Sequence, residues 1–222
     1  MAGGPNRLQP ILRRSARVLL LSSFRLWHHL GARRLHLLMR LWDNPDYSAG
    51  RAYVSQVDAS AKQLSNGRIL ECGSGLTTVV LALRSRRSGS SLVSLEHEQS
   101  WVEVVRRRLK LAGLSPEIVR HARLRDVDGA DWYTLPADFP ASFDLIVCDG
   151  PPGATRGGRS GLGQLLPDVL SRGGSLVLDD THRHDERSLA DAWARTLGAD
   201  PEFRPDGPVK EFAVIVRPSL QP

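Results

Sequence analysis

The sequence contains few cysteines and no long apolar segment. Cys72 and Cys148 are the only cysteines among its 222 residues, too few for a disulfide-stabilised scaffold, so we expect a reducing, cytoplasmic setting. The longest uninterrupted apolar run near the N-terminus, residues 18–21, is far shorter than the roughly 20 residues that span a bilayer. We therefore expect neither a small disulfide-rich protein nor a transmembrane helix.

Acidic residues are absent from residues 1–42, which contain eight arginines and no lysine. The net charge of +6 for the whole chain arises here, because residues 43–222 contain 22 basic and 24 acidic side chains. A nearly neutral body is not expected to carry the basic groove of a nucleic-acid-binding protein. Apolar residues among the arginines predict a basic, amphipathic helical extension, which either covers the domain or contacts a membrane surface.

The remainder, residues 43–222, has the pattern of one α/β domain. Short apolar runs alternate with helical stretches, which predicts a mostly parallel, doubly wound sheet covered on both faces. The predicted strands are residues 68–71, 92–95, 116–119, 143–148, 175–178 and 212–216, and the predicted helices are residues 48–64, 78–84, 99–112, 162–170 and 186–197.

Two glycines, Gly73 and Gly75, and two acids, Glu71 and Glu96, lie at the ends of the first two predicted strands. Gly73 and Gly75 lie between a strand and a helix, where backbone amides can approach a ligand because glycine lacks a Cβ. The third glycine of the dinucleotide-binding fingerprint is Thr78 here, which argues against NAD. Glu96 ends the second strand, where a carboxylate can accept hydrogen bonds from both hydroxyls of a ribose. Together these features predict an adenosine-containing ligand.

Five segments in order, ILECGSGLTT, LVSLEHEQSW, VRHARLRD, FDLIVCDGPPG and GGSLVLDDTHR, resemble the successive motifs of class I S-adenosylmethionine-dependent methyltransferases. The resemblance covers about residues 48–217 and is closest to the branch with Asp-Gly-Pro-Pro after the fourth strand. It implies a Rossmann-like seven-stranded sheet, and the final segment DGPVKEFAVIVR resembles the terminal hairpin with its antiparallel seventh strand.

The same resemblance implies that residues at the strand ends bind S-adenosyl-L-methionine. The implied contacts are Glu71, Gly73 and Gly75 at the methionine end and turn, Glu96 at the ribose, His97 and Ala122 beside the adenosine, and Asp149 facing the sulfonium and the acceptor. Leu76 and Thr77 occupy the place where the family often has a further glycine.

Three carboxylates, Asp149, Asp179 and Asp180, follow two predicted strands that end at one crevice. Their mutual repulsion would raise their pKa values unless Mg²⁺ or another divalent cation neutralised them. The arrangement resembles metal-dependent small-molecule O-methyltransferases, although those often have Asp-Asn at the pair. The alternative is that Asp149 contacts cofactor or substrate while Asp180 caps a helix without a metal.

Each of the other polar residues predicted near this crevice has two alternative roles. His182 is a candidate general base, or a solvated loop histidine. Arg156 and Arg159 lie in a glycine-rich stretch that either binds an anionic group of the substrate or forms a surface turn. Tyr133 and its neighbour Trp132 are expected in the core rather than in a pocket wall.

These features predict a methyltransferase that acts on a hydroxyl of a small-molecule or saccharide-like acceptor, with or without metal assistance. Oxygen is favoured over nitrogen because the carboxylates and a metal would acidify a hydroxyl, and because the aromatic residue of the amino-methylation motif is absent after Asp149-Gly-Pro-Pro. The alternatives are an RNA or protein methyltransferase, or a non-catalytic cofactor-binding module that docks a partner or membrane through its N-terminal helices. We expect a cytoplasmic location, with or without membrane association, and the oligomeric state stays open.

Overall fold

The computed structural model describes residues 38, 39, 42 and 49–219, so most of the predicted extension and its helices lie outside the described residues. Within those residues, none of the helices combines the length and apolar character needed to cross a membrane. The helices are α1 (Arg51–Lys62), α2 (Leu76–Ser88), α3 (Gln99–Leu111) and α4 (His184–Leu197). The strands are β1 (Arg68–Cys72), β2 (Ser91–Glu96), β3 (Val119–His121), β4 (Leu124–Val127), β5 (Ala130–Tyr133), β6 (Phe143–Cys148), β7 (Leu170–Leu178), β8 (Pro201–Asp206) and β9 (Lys210–Val216).

Seven strands form one sheet in the order β3-β2-β1-β6-β7-β9-β8. β9 pairs antiparallel with β7 and β8, whereas β3, β2, β1, β6 and β7 are parallel. The strand order runs outward in both directions from β1, so a crevice opens where β1 and β6 end, which is the usual ligand position in doubly wound sheets. The predicted seven-stranded doubly wound sheet is confirmed, and so is its antiparallel strand near the C-terminus.

Alternating side chains on the strands build two apolar cores, one on each face of the sheet. Ile69 and Leu145 face the core that α1, α2 and α3 cover. Leu70 and Ile146, their immediate neighbours, face the core that α4 covers together with the β4–β5 hairpin. Each central strand therefore reads as a continuous apolar run, because both of its faces are buried.

Two predicted elements were wrong in type or position. Residues 116–119 begin as a 3₁₀ turn at Pro116–Ile118, and the strand β3 follows it, because a proline at the first position favours a turn. Residues 162–170 do not form an α-helix: a short 3₁₀ helix, Ser160–Gln164, is followed by β7. A Cβ on Gly161 would lie 2.5 Å from the Trp132 ring, so this segment is held by close packing rather than by helix propensity.

Three strands were missed by the sequence pattern. β4 and β5 form a separate antiparallel hairpin, and most positions of β4 are not buried. β8 is the outermost strand of the large sheet, and only its last residue is buried. Exposed strands of this kind carry polar residues, so the apolar runs on which the prediction depends are absent there.

The end of the predicted extension packs against the domain. Leu38 and Trp42 are buried in the core on the α1–α3 face. The Trp42 ring meets the Trp101 ring edge-on at a centroid distance of 6.3 Å, and the Arg108 guanidinium lies 4.0 Å from the Trp42 ring centre. This aromatic and cation contact ties the extension to α3, so the last residues of the extension contribute to the domain core.

Replacement of Trp42 by alanine tests that contribution. We expect Trp42→Ala to lower the free energy of unfolding by about 3 kcal/mol, because it removes a buried ring and leaves a cavity. Urea denaturation followed by circular dichroism would measure the loss. Val209→Ala, at a side chain that is 75% exposed, is the control and should change little. Equal stability of the two variants would show that the Trp42 contact does not stabilise the fold.

Candidate active site

Backbone hydrogen bonds align the ends of the central strands at one edge of the sheet. The Asp149 N–H donates to the Cys72 carbonyl at 2.9 Å, and the Asp179 N–H donates to the Cys148 carbonyl at 3.0 Å. On the other side of β1, the Ala122 N–H donates to the Glu96 carbonyl at 2.7 Å. The predicted site residues therefore lie along one continuous edge, with the glycine turn and Glu96 at one end and the aspartates at the other.

The glycine turn after β1 touches the loop after β6. Gly73 has φ +89°, and a Cβ at this position would lie 2.9 Å from the Gly150 nitrogen. A Cβ on Gly150 would in turn lie 2.8 Å from Gly73 Cα and 2.6 Å from the Tyr133 hydroxyl. Both positions require glycine, because the two backbones approach too closely for any side chain.

Gly75 differs from Gly73 in its surroundings. Its φ is −178°, and a Cβ there would meet nothing within 4 Å. The fold itself does not require glycine at this position. The space in front of Gly75, at the N-terminus of α2, is therefore open for a ligand that the sequence analysis places there.

Glu71 holds this turn from beneath. The Gly75 N–H donates to Thr78 Oγ1 at 2.8 Å, and that hydroxyl donates to Glu71 Oε2 at 2.6 Å. Ser94 Oγ also donates to Glu71 Oε2, at 2.5 Å. Burial raises the pKa of Glu71 to about 7, although the hydroxyl hydrogen bonds lower it. Glu71 Oε1 is buried and has no hydrogen-bond partner among the described residues.

Glu96 is the second anchor of the turn. Its Oε2 accepts hydrogen bonds from the Ser74 N–H and from Ser74 Oγ, each at 3.0 Å, and its Oε1 accepts one from the Glu98 N–H at 3.0 Å. Burial acts to raise the pKa of Glu96, but these hydrogen bonds and the His97 ring lower it overall. Glu96 is therefore held as a carboxylate, the form that accepts hydrogen bonds from ribose hydroxyls.

The predicted adenosine contacts lie beside Glu96. His97 Nδ1 is 3.1 Å from Glu96 Oε1, and this contact raises the pKa of the imidazole. The His97 ring is half-buried and meets the Tyr133 ring at a centroid distance of 6.4 Å. Ala122 is buried directly after β3. The structure thus brings His97 and Ala122 to the same end of the crevice as Glu96, and their contact with adenosine stays a prediction.

The three predicted aspartates converge at the ends of β6 and β7. One carboxylate oxygen from each of them lies within 4.8 Å of the corresponding oxygens of the other two. Asp179 and Asp180 are buried, whereas Asp149 is 28% exposed in its side chain. Burial, followed by the charges of its neighbours, raises the pKa of Asp179 to about 8, and burial raises that of Asp149 to about 6. The predicted clustering is present, whereas metal binding stays a prediction.

An arginine lies inside this cluster. The Arg159 side chain is 2% exposed and forms ion pairs with Asp149 Oδ1 at 3.1 Å and with Asp180 Oδ2 at 2.8 Å. Burial acts to lower the pKa of Arg159, but the facing carboxylates, Asp149 above all, raise it above the ordinary value. Arg159 is therefore part of the carboxylate cluster and not a free loop side chain.

Asp180 is held in an unusual backbone conformation. Its φ is +62°, which is uncommon for a residue with a side chain and costs of order 1 to 3 kcal/mol. Its carboxylate also pairs with Arg183 at 3.1 Å. The Asp180 carbonyl accepts a hydrogen bond from the Arg183 N–H at 2.9 Å, and α4 begins at the next residue. Such strain is typical of residues whose position matters at a site.

The other polar residues singled out by the sequence have different settings. His182 is exposed, two residues beyond Asp180, and its role as a base stays a prediction. Arg156 is 56% exposed and pairs with Asp126 and with Asp131 of the β4–β5 hairpin. Its guanidinium therefore serves to hold the loop against the hairpin in this structure.

The sequence did not show the role of Arg159. It predicts that Arg159 either binds an anionic group of the substrate or forms a surface turn, although three uncompensated acids in one crevice already require a cation. Tyr133 is buried in the core, as predicted, and Tyr53, which the sequence did not single out, is also buried. Both phenol hydroxyls are buried and lack a hydrogen-bond partner among the described residues. Burial raises both pKa values, with Asp149 and Asp179 adding to the shift of Tyr53 and Glu96 to that of Tyr133.

A family model described as a methyltransferase domain matches residues 70–181, which span β1 through the end of β7 and include the glycine turn, Glu96 and the three aspartates. No curated protein matches the chain.

Solved structures share the fold at low sequence identity. Cofactor-bound Rv0187 from MTB is similar with a TM-score of 0.59 and 18% identity, covering 99% of this chain and 100% of that one. The O-methyltransferase TomG from Streptomyces achromogenes, in complex with SAM, has a TM-score of 0.57 and 18% identity over 86% and 91% of the two chains. An O-methyltransferase from Bacillus cereus in complex with SAH has a TM-score of 0.53 and 15% identity over 82% and 90%.

Two alanine variants, at Gly73 and Gly75, distinguish a glycine that the fold requires from one that borders the space for a ligand. Gly73→Ala should destabilise the protein by about 1 to 3 kcal/mol, because its φ is positive and its Cβ would clash with Gly150. Gly75→Ala should leave stability unchanged and weaken binding of S-adenosylhomocysteine, because its Cβ enters the open space. Thermal unfolding and calorimetry measure the two effects. Unweakened binding by Gly75→Ala would remove this space from the cofactor site.

The titration of Glu71 should make the free energy of unfolding depend on pH. Its pKa in the folded protein, about 7, is above the ordinary 4.5, so its contribution is fully present below about pH 4.5 and is lost as the pH rises through about 7. Relative to Glu71→Gln, the wild type should therefore lose on the order of 3 kcal/mol between about pH 4 and pH 8.

Urea denaturation across this pH range measures the difference between the wild type and Glu71→Gln. Glu117→Gln, at an exposed position, is the control and should follow the wild type. A stability difference that is constant with pH would contradict the raised pKa.

Proposed function

Because the chain belongs to the methyltransferase-domain family, we propose that it transfers a methyl group from S-adenosyl-L-methionine to a hydroxyl oxygen of a small-molecule acceptor. The family match over residues 70–181 and the seven-stranded sheet confirm the prediction of a class I S-adenosylmethionine-dependent methyltransferase. The acceptor, the methylated atom and the involvement of a metal are the parts that go beyond the family.

The proposal depends on one observation above all: Glu96, the glycine turn and Asp149 lie along a single edge of the sheet. Glu96 is ionised and borders the turn, so it suits the ribose of the cofactor. The open space at Gly75 suits the methionine portion. Asp149 follows β6, next to Gly150 and in contact with the turn through Gly73. Glu96 and the glycine turn would hold the cofactor, which would supply the methyl group, and Asp149 would face the acceptor.

The proposed chemistry is a direct displacement in which the protein mainly aligns the reactants. When bound, the cofactor supplies an electrophilic methyl group on a sulfonium. The acceptor oxygen forms a bond to the methyl carbon while the bond from that carbon to sulfur breaks. The hydroxyl proton passes to a carboxylate oxygen of Asp149, the only partly exposed member of the cluster. The base role predicted for His182 stays an alternative to this step.

Oxygen is the proposed acceptor atom for two reasons. The Asp149-Gly-Pro-Pro segment lacks the aromatic residue of the amino-methylation motif. Two of the structurally similar proteins, from Streptomyces achromogenes and Bacillus cereus, are named O-methyltransferases. Metal assistance by Mg²⁺ or another divalent cation at Asp149, Asp179 and Asp180, which the sequence suggested, is not part of this proposal. A small-molecule acceptor also agrees with the near-neutral charge of residues 43–222.

The remaining alternative functions depend on the N-terminal extension. Its eight arginines suit an anionic membrane surface, and membrane contact through residues 1–42 and the cytoplasmic location both stay predictions. An RNA or protein acceptor, or docking without turnover, would also use this charge. Truncation at residue 42 is a poor test, because it removes Leu38 and Trp42 from the domain core.

Label transfer tests the proposed function. The full chain would be incubated with S-adenosylmethionine carrying a deuterated methyl group and a panel of phenols, catechols and saccharides, each paired with its amino analogue. We expect mass spectrometry to find the label on the hydroxyl oxygen. Glu96→Ala should weaken S-adenosylhomocysteine binding more than tenfold, because each lost hydrogen bond to a carboxylate is worth about 1.5 to 3 kcal/mol, while Glu117→Ala serves as control.

The other outcomes are equally informative. Label on the amino analogue, or on RNA or protein added to the same assay, would overturn the proposed acceptor. Cofactor binding without turnover on any acceptor would favour the binding module. Unchanged cofactor affinity in Glu96→Ala would remove Glu96 from the ribose site.

A further inference from the structure

The carboxylate cluster contains its own counter-charge. Three carboxylates lie within 4.8 Å of one another, and Asp179 and Asp180 are buried. Buried anions at such distances repel one another strongly unless a cation stands between them. The sequence suggests a divalent metal ion in that role as one of two alternatives, but the structure places the guanidinium of Arg159 there.

Arg159 binds the cluster through both terminal nitrogens. Nη2 donates to Asp149 Oδ1 at 3.1 Å and to Asp180 Oδ2 at 2.8 Å, and it also donates to the Asp149 carbonyl at 3.1 Å. Nη1 donates to the Asp179 carbonyl at 2.5 Å. One side chain thus joins the ends of β6 and β7 and occupies oxygens on two of the three carboxylates.

Local sequence brings this arginine inward. Gly157 and Gly158 precede it with φ +74° and +53°, conformations that glycine adopts at little cost. A Cβ on Gly157 would lie 2.7 Å from Ala130 Cβ, so the loop is pressed against the β4–β5 hairpin. The arginine that follows is 2% exposed in its side chain, and its inward position is built by the loop.

The donor set of this cluster does not fit a divalent cation while Arg159 is in place. Such an ion would bind carboxylate oxygens at roughly 2.0 to 2.6 Å. Asp149 Oδ1 and Asp180 Oδ2 both face Nη2 of the guanidinium, so an ion bound between them would lie directly against a positive charge. The remaining acid, Asp179, accepts the Asp180 N–H on its Oδ1 at 2.8 Å.

We propose that Arg159 takes the place of a divalent metal ion in the Asp149–Asp179–Asp180 cluster and positions Asp149 at the crevice. Arg159 acts through the carboxylates and is a positioning residue. The inference rests on the proposed function in one respect only, namely that the crevice is the site of methyl transfer. It implies that the site works without a metal and that removal of the guanidinium exposes a cluster able to bind one.

Manganese binding followed by electron paramagnetic resonance tests the proposal without an acceptor. The probe is Mn²⁺ alone, added to the full-length wild type, Arg159→Met, Arg159→Lys and Arg172→Met, the last at an exposed arginine. We expect Arg159→Met to bind one equivalent of Mn²⁺, while the wild type, Arg159→Lys and Arg172→Met bind none. Adding Asp180→Ala to Arg159→Met should abolish the new site, because it removes one of its oxygen ligands.

Circular dichroism reports in parallel whether each variant is folded, and this measurement does not depend on cofactor binding. Stoichiometric Mn²⁺ binding by the wild type would overturn the proposal, and so would a folded Arg159→Met that binds no Mn²⁺. If Arg159→Met does not fold, the wild-type measurement decides: bound Mn²⁺ overturns the proposal, and its absence supports it. Absence of methyl transfer by the wild type would contradict the proposed function and would leave these metal-binding results unaffected.

Discussion

The backbones of Gly73 and Gly150 approach so closely that neither residue can carry a side chain, and the site depends on this contact. It joins the turn after β1 to the loop after β6, the two strands on either side of the point where the strand order reverses. Because these loops touch, Gly75 and Asp149, which lie within them, share one crevice. A shift of either strand end would separate the two halves of the site.

Buried carboxylates hold the glycine turn in place before any ligand binds. Glu71 holds the turn through the Thr78 hydroxyl, and Glu96 holds it through Ser74. The two acids differ in charge state because their surroundings differ: burial dominates at Glu71 and raises its pKa, whereas several donors surround Glu96 and lower its pKa. Similar residues at neighbouring strand ends thus acquire different chemical properties.

The N-terminal extension also reaches the site through a short chain of contacts. Trp42 packs edge-on against Trp101, and the Trp101 indole N–H donates to the Ser74 carbonyl at 2.8 Å. Ser74 belongs to the turn that Glu96 anchors. The final residues of the extension therefore support a side chain that holds the glycine turn, which links a segment outside the sheet to the cofactor end of the crevice.

The amino-acid sequence by itself determined the sheet, the glycine turn and the strand-end acids, because apolar runs such as residues 143–148 and the glycines beside Glu71 are local signals. It did not identify β4 or β8, which are mostly exposed and lack such runs, or β5, which is largely buried but only four residues long. Only the tertiary structure decided the partner of Asp149 and Asp180, because Arg159 is brought to them by the loop that packs against the hairpin. Contacts between side chains 10 and 21 positions apart depend on the path of the chain in space, and no local pattern encodes that path.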